Sequence, residues 1–305
     1  MDFFKLEKFL EKKIEHATTF VLGSSVLNRF IYAVEFDFGS DKTVIIQGAI
    51  HAREHITALL LCKFIEHTSA NFNKYKAQNF PNIIYVPMVN PDGVELCCNG
   101  LKSVKDRKRR KFLVKINKGK DFSLFKANAN GVDLNTNFDA KWGSGVENKI
   151  EPSSNGFIGE SPMCEPEVQS LALLTNKVKP FFTISYHAKG QELYYRFYNE
   201  KENLKRDEKI AKLLSRALRY KVKNTERCSS GGYKDWCVFR HKIPSVTIEV
   251  GKDSLKHPIE DCFLDKIYKR NKCVIKLLGR INREYEKFER RKIYERGAKG
   301  SKESL

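Results

Sequence analysis

The spacing of apolar positions predicts most of the elements in the first half of the chain. Phe3, Phe4, Leu6, Phe9, Leu10 and Ile14 recur at close to helical spacing and predict an opening helix. Residues 31–38 (IYAVEFDF) alternate and predict a strand, followed by a turn at Gly39, Ser40 and Asp41. Residues 44–50 (VIIQGAI) form a short apolar run suited to a buried strand, which stops abruptly at His51. From there Ile56, Leu59, Leu60 and Phe64 mark an amphipathic helix, so polar side chains gather at a strand-to-helix junction.

The same grammar continues downstream. Residues 83–89 (IIYVPMV) predict a strand closed by Asn90-Pro91-Asp92-Gly93, whose composition is that of a turn. Helical spacing follows over 165–177, then a strand over 181–186 (FFTISY) that ends at His187, and another over 246–250 (VTIEV) with Glu249 inside it. Strands alternating with helices, with polar residues at the strand ends, are how open α/β sheets place their binding sites. The expected fold is therefore α/β: a single domain with a mixed, mostly parallel central sheet flanked by helices, spanning residues 1–296, with 297–305 (GAKGSKESL) as a frayed tail.

Composition narrows the setting. The 305 residues include 56 Lys+Arg against 37 Asp+Glu, a formal net charge of +19, yet 41% are hydrophobic, which is enough to bury a core without staples. The densest basic run, 105–111 (KDRKRRK), and the mixed-charge stretch 283–296 lack any accompanying zinc finger, aromatic RNA-binding signature or basic zipper, so nucleic-acid binding is disfavoured as the main function. Attraction to an acidic substrate stays open. Eight scattered cysteines without a CxxC pair read as reduced thiols. No apolar run approaches the roughly 20 residues of a bilayer span, and charges interrupt the opening segment where a signal peptide would be apolar; a cytoplasmic, non-membrane protein is the expectation.

The polar residues at the strand ends carry the candidate chemistry. His51 and Glu54 sit three apart just after a strand, and zinc accepts imidazole nitrogen and carboxylate oxygen. His187, at a second strand end, offers a third ligand, and a set of two His and one Glu leaves a fourth position open, as in a hydrolytic zinc centre. Glu249, costly to bury in an apolar strand, is either the partner of a buried cation or the carboxylate that moves protons at such a centre.

These residues belong to a longer series: His51-Ala52-Arg53-Glu54, Asn90-Pro91-Asp92-Gly93, Gly131-Val132-Asp133-Leu134-Asn135-Thr136-Asn137-Phe138, Ser185-Tyr186-His187, Gly231-Gly232-Tyr233-Lys234-Asp235-Trp236 and Thr247-Ile248-Glu249. In this order the series resembles the zinc metallocarboxypeptidase family, over residues about 20 to 260. The resemblance implies one Zn2+ held by His51, Glu54 and His187, with Glu249 as general base and then acid toward zinc-activated water. It implies Arg53 at the substrate carbonyl, Asp133 hydrogen-bonded to the far nitrogen of a zinc-bound His, and Asn135 on the substrate's terminal carboxylate.

Three positions depart from the family pattern. Thr136 stands where the family has a carboxylate-clamping arginine, and Arg227 falls where it has a mobile capping tyrosine, for which Tyr233 is a nearby substitute. Lys126 takes the place of the oxyanion-stabilising arginine. Lys234 falls at the position that sets preference for the last side chain, and Lys189 follows His187 by two. Cations there favour an acidic end and repel a basic one, unless both lysines are merely solvated.

The stretches around Lys126, Lys189 and Lys234 are similar to the bacterial branch that cuts γ-D-glutamyl-diamino-acid bonds in cell-wall peptides. A zinc peptidase acting on acidic or muropeptide-derived peptides is the expected function. The alternative is a catalytically degenerate member that binds zinc and peptide without cleaving.

Overall fold

The structure is a computed structural model that describes residues 1–78, 80–223 and 229–300, with backbone only for 295–300. In chain order the elements are α1 (Phe3–Leu10), β1 (Thr18–Ser24), β2 (Phe30–Phe36), β3 (Thr43–Gln47), α2 (Ile56–Ala70), α3 (Phe72–Lys76), β4 (Asn82–Val86), α4 (Pro91–Asn99), α5 (Arg107–Asn117), α6 (Pro166–Val178), β5 (Phe182–Ala188), β6 (Glu192–Tyr194), α7 (Lys201–Leu218), β7 (Lys221–Lys223), α8 (Tyr233–His241), β8 (Ser245–Val250), α9 (Leu264–Asn271) and α10 (Cys273–Gly300). The strands form one mixed sheet in the order β1-β2-β4-β3-β5-β8-β6-β7. Its centre, β4-β3-β5-β8, is parallel. The resulting single α/β domain agrees with the expected fold. α10 carries helical backbone to Gly300, past the expected tail start at Gly297.

Period-2 alternation sorts the sheet into two cores. Val44, Ile46, Phe182, Ile184, Tyr186, Val246, Ile248 and Val250 face one side and pack with α2, α7, α9 and α10. Ile45, Ile84 and Val86 face the other side, under α6 and α8. On β5 and β8 the residues in between, Thr183, Ser185, His187 and Ser245, Thr247, Glu249, are all polar and project to that second side. The apparently continuous run at 246–250 is thus an alternating strand whose polar half meets the site.

Asn90-Pro91-Asp92-Gly93 is a helix start and not a turn, which corrects the expectation. Asn90 caps α4 by accepting from Gly93 N–H (2.9 Å), and Pro91 occupies the first helical turn, where its missing N–H costs nothing. The Asn90 amide also donates to Ile50 O (3.2 Å) and Ala127 O (3.1 Å), tying the end of the β3 loop to the segment that carries Lys126. A Cβ at Gly93 would sit 2.4 Å from Ala127 O, so this close approach requires glycine.

Glu167, in the first turn of α6, is fully buried and accepts from Val26 N–H (3.3 Å) and Asn128 Nδ2 (3.2 Å). Burial, with Asp92 and Glu165 adding negative charge nearby, pushes its carboxyl up to about 8. A carboxyl that holds its proton more tightly when folded loses native-state stabilisation as pH climbs from its ordinary value of 4.5 toward 8. Glu167→Gln should therefore gain on the wild type with rising pH, reaching an advantage of about 1–3 kcal/mol at pH 9 in urea unfolding. An offset that is the same at pH 5 and pH 9 would refute this.

Candidate metal centre and active site

His51 leaves β3 in extended conformation and caps a single 3-10 turn, Ala52–Glu54. Three residues per turn bring His51 and Glu54 onto one side. The turn is pinned from both ends: Ala52 N–H donates to Lys126 O (3.1 Å), and the Thr57 hydroxyl donates to Glu54 O (2.8 Å) while accepting from Ala49 N–H (2.7 Å). His187, at the carboxyl end of β5, completes a buried group in which two imidazole nitrogens and a carboxylate oxygen all lie within 4.8 Å of one another.

His51 Nδ1 is 3.0 Å from Glu54 Oε1, and His187 Nδ1 is 3.1 Å from both His51 Nδ1 and Glu54 Oε2. Tetrahedral zinc with bonds of about 2.0–2.1 Å spaces its donors about 3.3 Å apart, so the residues fit one zinc ion. On the far side of the ring, His51 Nε2 lies 3.2 Å from Asp133 Oδ1, which leaves Nδ1 free to ligate. Although burial opposes it, the charge of His51 and the bonds from both histidines hold Glu54 well below the usual carboxylate range.

Asp133 is the electrostatic hub behind the centre. Besides His51, its carboxylate meets Lys126 Nζ (3.2 Å) and accepts from Gly156 N–H (3.1 Å) and Asn135 N–H (3.3 Å). Burial raises its pKa, but Lys126 and His51 outweigh that and hold it ionised far below its ordinary value. Lys126 is thereby fixed at the wall of a cleft of about 300 Å³ that is also lined by His51, Asn135, His187, Lys234 and Glu249.

Glu249 enters the cleft because β5 and β8 run parallel with His187 and Glu249 in register. Burial pushes its carboxyl up to about 8, with His187 and Lys126 pulling against the rise. Asn135 accepts from Tyr233 N–H (3.2 Å) through Oδ1, which leaves its Nδ2 as the donor for a ligand. Gly231, at φ +78°, holds this corner together: a Cβ would be 2.4 Å from Thr136 O.

The remaining expected residues fall elsewhere. The Tyr233 side chain is no substrate contact: it is fully buried in the core, 5.4 Å from Phe138, with its hydroxyl against Thr175 Oγ1 (2.8 Å). The Thr136 hydroxyl turns onto the carbonyls of Asp133 (2.8 Å) and Phe157 (3.3 Å) and does not line the cleft. Lys189 reaches Asp253 instead of the cleft. Arg53 is half-buried with no partner at Nε, and it too lies outside the lining. Arg227 lies outside the described residues.

Lys234 does line the cleft but is not a lone cation. Its ammonium pairs with Asp235, donates to Arg196 O (2.9 Å) and sits 5.4 Å over the Phe197 ring. Sequence reasoning missed Asp235, although it stands next to Lys234 in the quoted motif, and Glu147, which lines the cleft from a loop with no periodic signal.

A buried His-Glu-His set at the strand ends of a mixed α/β sheet makes this a protein with a single-metal centre. The sequence matches the zinc carboxypeptidase family over residues 5–264. It is 31% identical over 275 residues to the gamma-D-glutamyl-L-diamino acid endopeptidase 1 of Lysinibacillus sphaericus, covering 84% of this chain and 67% of that protein. Among solved structures, bovine thrombin-activatable fibrinolysis inhibitor shares the fold with a TM-score of 0.72 at 18% identity, covering 94% of this chain and 98% of that one. The murein-tripeptide amidase of Escherichia coli O157 shares it at 0.53 and 21% identity, covering 86% and 91%. The chain belongs to the zinc carboxypeptidase family and is a zinc metallopeptidase of the carboxypeptidase type.

Zinc should raise the melting temperature of the metal-free protein, by the equivalent of about 2.7 kcal/mol at a hundredfold excess over Kd, with one ion bound by elemental analysis. His187→Ala should bind less than a tenth as tightly and show no such rise. A His187→Ala protein that still takes up one zinc and melts higher with it would remove His187 from the ligand set.

Proposed function

We propose that this peptidase hydrolyses the bond between a γ-linked D-glutamyl residue and a diamino acid in cell-wall-derived peptides. The observation that carries the reading is the Lys234–Asp235 pair lining the cleft that also holds Glu249. A cleft with Lys234 alone would favour a purely acidic end. Asp235 beside it, with Glu147 at an exposed part of the lining, adds acceptors for an ammonium. A diamino acid whose side chain ends in both a carboxylate and an amine satisfies both signs, whereas a glutamate end meets Asp235 and a lysine end meets Lys234 unmatched; like-charge juxtaposition costs several kcal/mol, on the order of 2–5. The name of the Lysinibacillus relative points to the same bond.

His51, Glu54 and His187 hold the metal, which when bound supplies Lewis acidity, polarising a carbonyl and making water more acidic. Glu249 takes the proton from the attacking water and passes it to the leaving nitrogen, which a carboxyl with a raised pKa does well near neutral pH. Lys126, held by Asp133, presents positive charge to the oxygen that becomes negative in the transition state. Asn135 Nδ2 donates to the carboxylate on the residue after the bond. Arg53, on the 3-10 turn between His51 and Glu54, binds the peptide carbonyl.

Glu249→Gln should keep zinc and lose kcat by about 10²–10⁴-fold; near wild-type turnover would rule out the proton-transfer role. Mass spectrometry of L-Ala-γ-D-Glu-diaminopimelate beside ordinary peptides with acidic, basic and apolar ends should show chelator-sensitive release of diaminopimelate first. Faster release of a glutamate or lysine end would refute the mixed-charge reading of the cleft. Silence across the panel from zinc-loaded protein would favour the degenerate binder.

A further inference from the structure

Away from the cleft, a concavity of about 500 Å³ lies between the end of α7, α9 and the start of α10. Arg219, Lys266, Lys269, Arg270, Lys272 and Lys276 line it, with no carboxylate in the lining. All six are exposed, and none forms an ion pair among the described residues. Elsewhere this chain often pairs its surface cations, as in Lys209 with Glu284, Lys212 with Glu208 and Arg240 with Asp139. The basic run on α5 differs too, because Arg109 and Arg110 are committed to the carbonyls of Ala129 and Val104. Lys266, Lys269 and Arg270 stand three and four apart on α9 and repel one another, and Lys276 follows Lys272 by four, so the cluster is held together by the fold at some cost and gains from an anion.

The cluster is continuous with the catalytic end of the sheet. Lys266 and Arg270 also line a second, narrower concavity of about 110 Å³, together with Gln191, Gly251 and Lys252. Gly251 follows β8 two residues after Glu249, and its carbonyl accepts from Gly190 N–H (3.0 Å), three residues after His187. The narrower concavity therefore joins the loops that follow β5 and β8 to the cationic one through Lys266 and Arg270, and among the described residues neither shares a lining residue with the cleft itself.

We infer that this cationic track binds the part of the substrate that leaves the cleft, and that on substrates extended beyond L-Ala-γ-D-Glu-diaminopimelate this part is a linear peptide carrying repeated carboxylates. The inference rests on the peptidase reading for which segment occupies the track. Because the cleft holds the residue after the bond, the track receives the chain before it. The occupant is a carboxylate-bearing peptide chain; a nucleic-acid strand is the competitor that the test separates.

Binding is read by fluorescence anisotropy of labelled octaglutamate, octalysine and a single-stranded RNA octamer on the full chain, without zinc, at 50 and 200 mM salt. Octaglutamate should bind at low salt, weaken at least tenfold at high salt, and lose at least tenfold in Lys266→Glu/Arg270→Glu/Lys272→Glu but not in Lys108→Glu/Lys111→Glu. In parallel, cleavable peptides with two, five and ten glutamates before the bond should show KM falling with length relative to serine-extended peptides, a gain that the triple variant loses. Equal octaglutamate binding by wild type and triple variant would overturn the inference, as would tighter binding of RNA than of octaglutamate. Binding that the triple variant loses, without any dependence of KM on extension length, would separate the cluster from the cleft and overturn the substrate assignment. If no peptide is cut while octaglutamate binding still depends on the three residues, the peptidase reading fails and the anionic site stands.

Discussion

The parallel register of β5 and β8 is the constraint on which the site depends. Placing His187 beside Glu249 sets the candidate metal ligand and the carboxylate proposed to transfer protons on adjacent strands without help from any loop. A shift of one residue would turn both side chains into the opposite core, among Ile184, Tyr186 and Ile248, where neither charge has a partner. The apolar residues between them fix that register from behind, so the packing of one face positions the chemistry of the other.

Charge is managed by sharing at each step. Asp133 serves His51, Lys126 and two backbone amides at once, and Glu54 is shared by both histidines and accepts from Ala188 N–H. Buried ions survive when each finds several partners. Through Asp133 the metal centre and the cationic wall of the cleft are coupled: a change in one alters the field at the other.

Much of this was legible in the sequence where residue type and local position determine the outcome. His51 and His187 stand at ends of apolar runs, Glu54 three residues past the first and Glu249 inside the last, and the structure brings them together at the ends of the central strands. What sequence left hidden depended on contacts across distance. Asn90-Pro91-Asp92-Gly93 has turn composition but becomes a helix cap because Ile50 and Ala127 supply carbonyls for the Asn90 amide. Tyr233 looked available for substrate, yet Thr175, 58 residues earlier, claims its hydroxyl. The three-residue strands β6 and β7 are too short for a periodic signal. Lys234 read as a free cation because nothing in linear order says that the next residue, Asp235, turns its carboxylate back to it.

That pairing bears on how a catalytic cycle closes. An occupied pocket that relied on a lone lysine would leave an uncompensated charge behind each time product departed, and the departing fragment would be held back by it. With Asp235 already in contact, the ammonium has a resting partner whenever the pocket empties. On the proposed reading, selectivity for a charged end is thereby separated from retention of it, and the pocket is ready for the next molecule without first gathering ions from solvent.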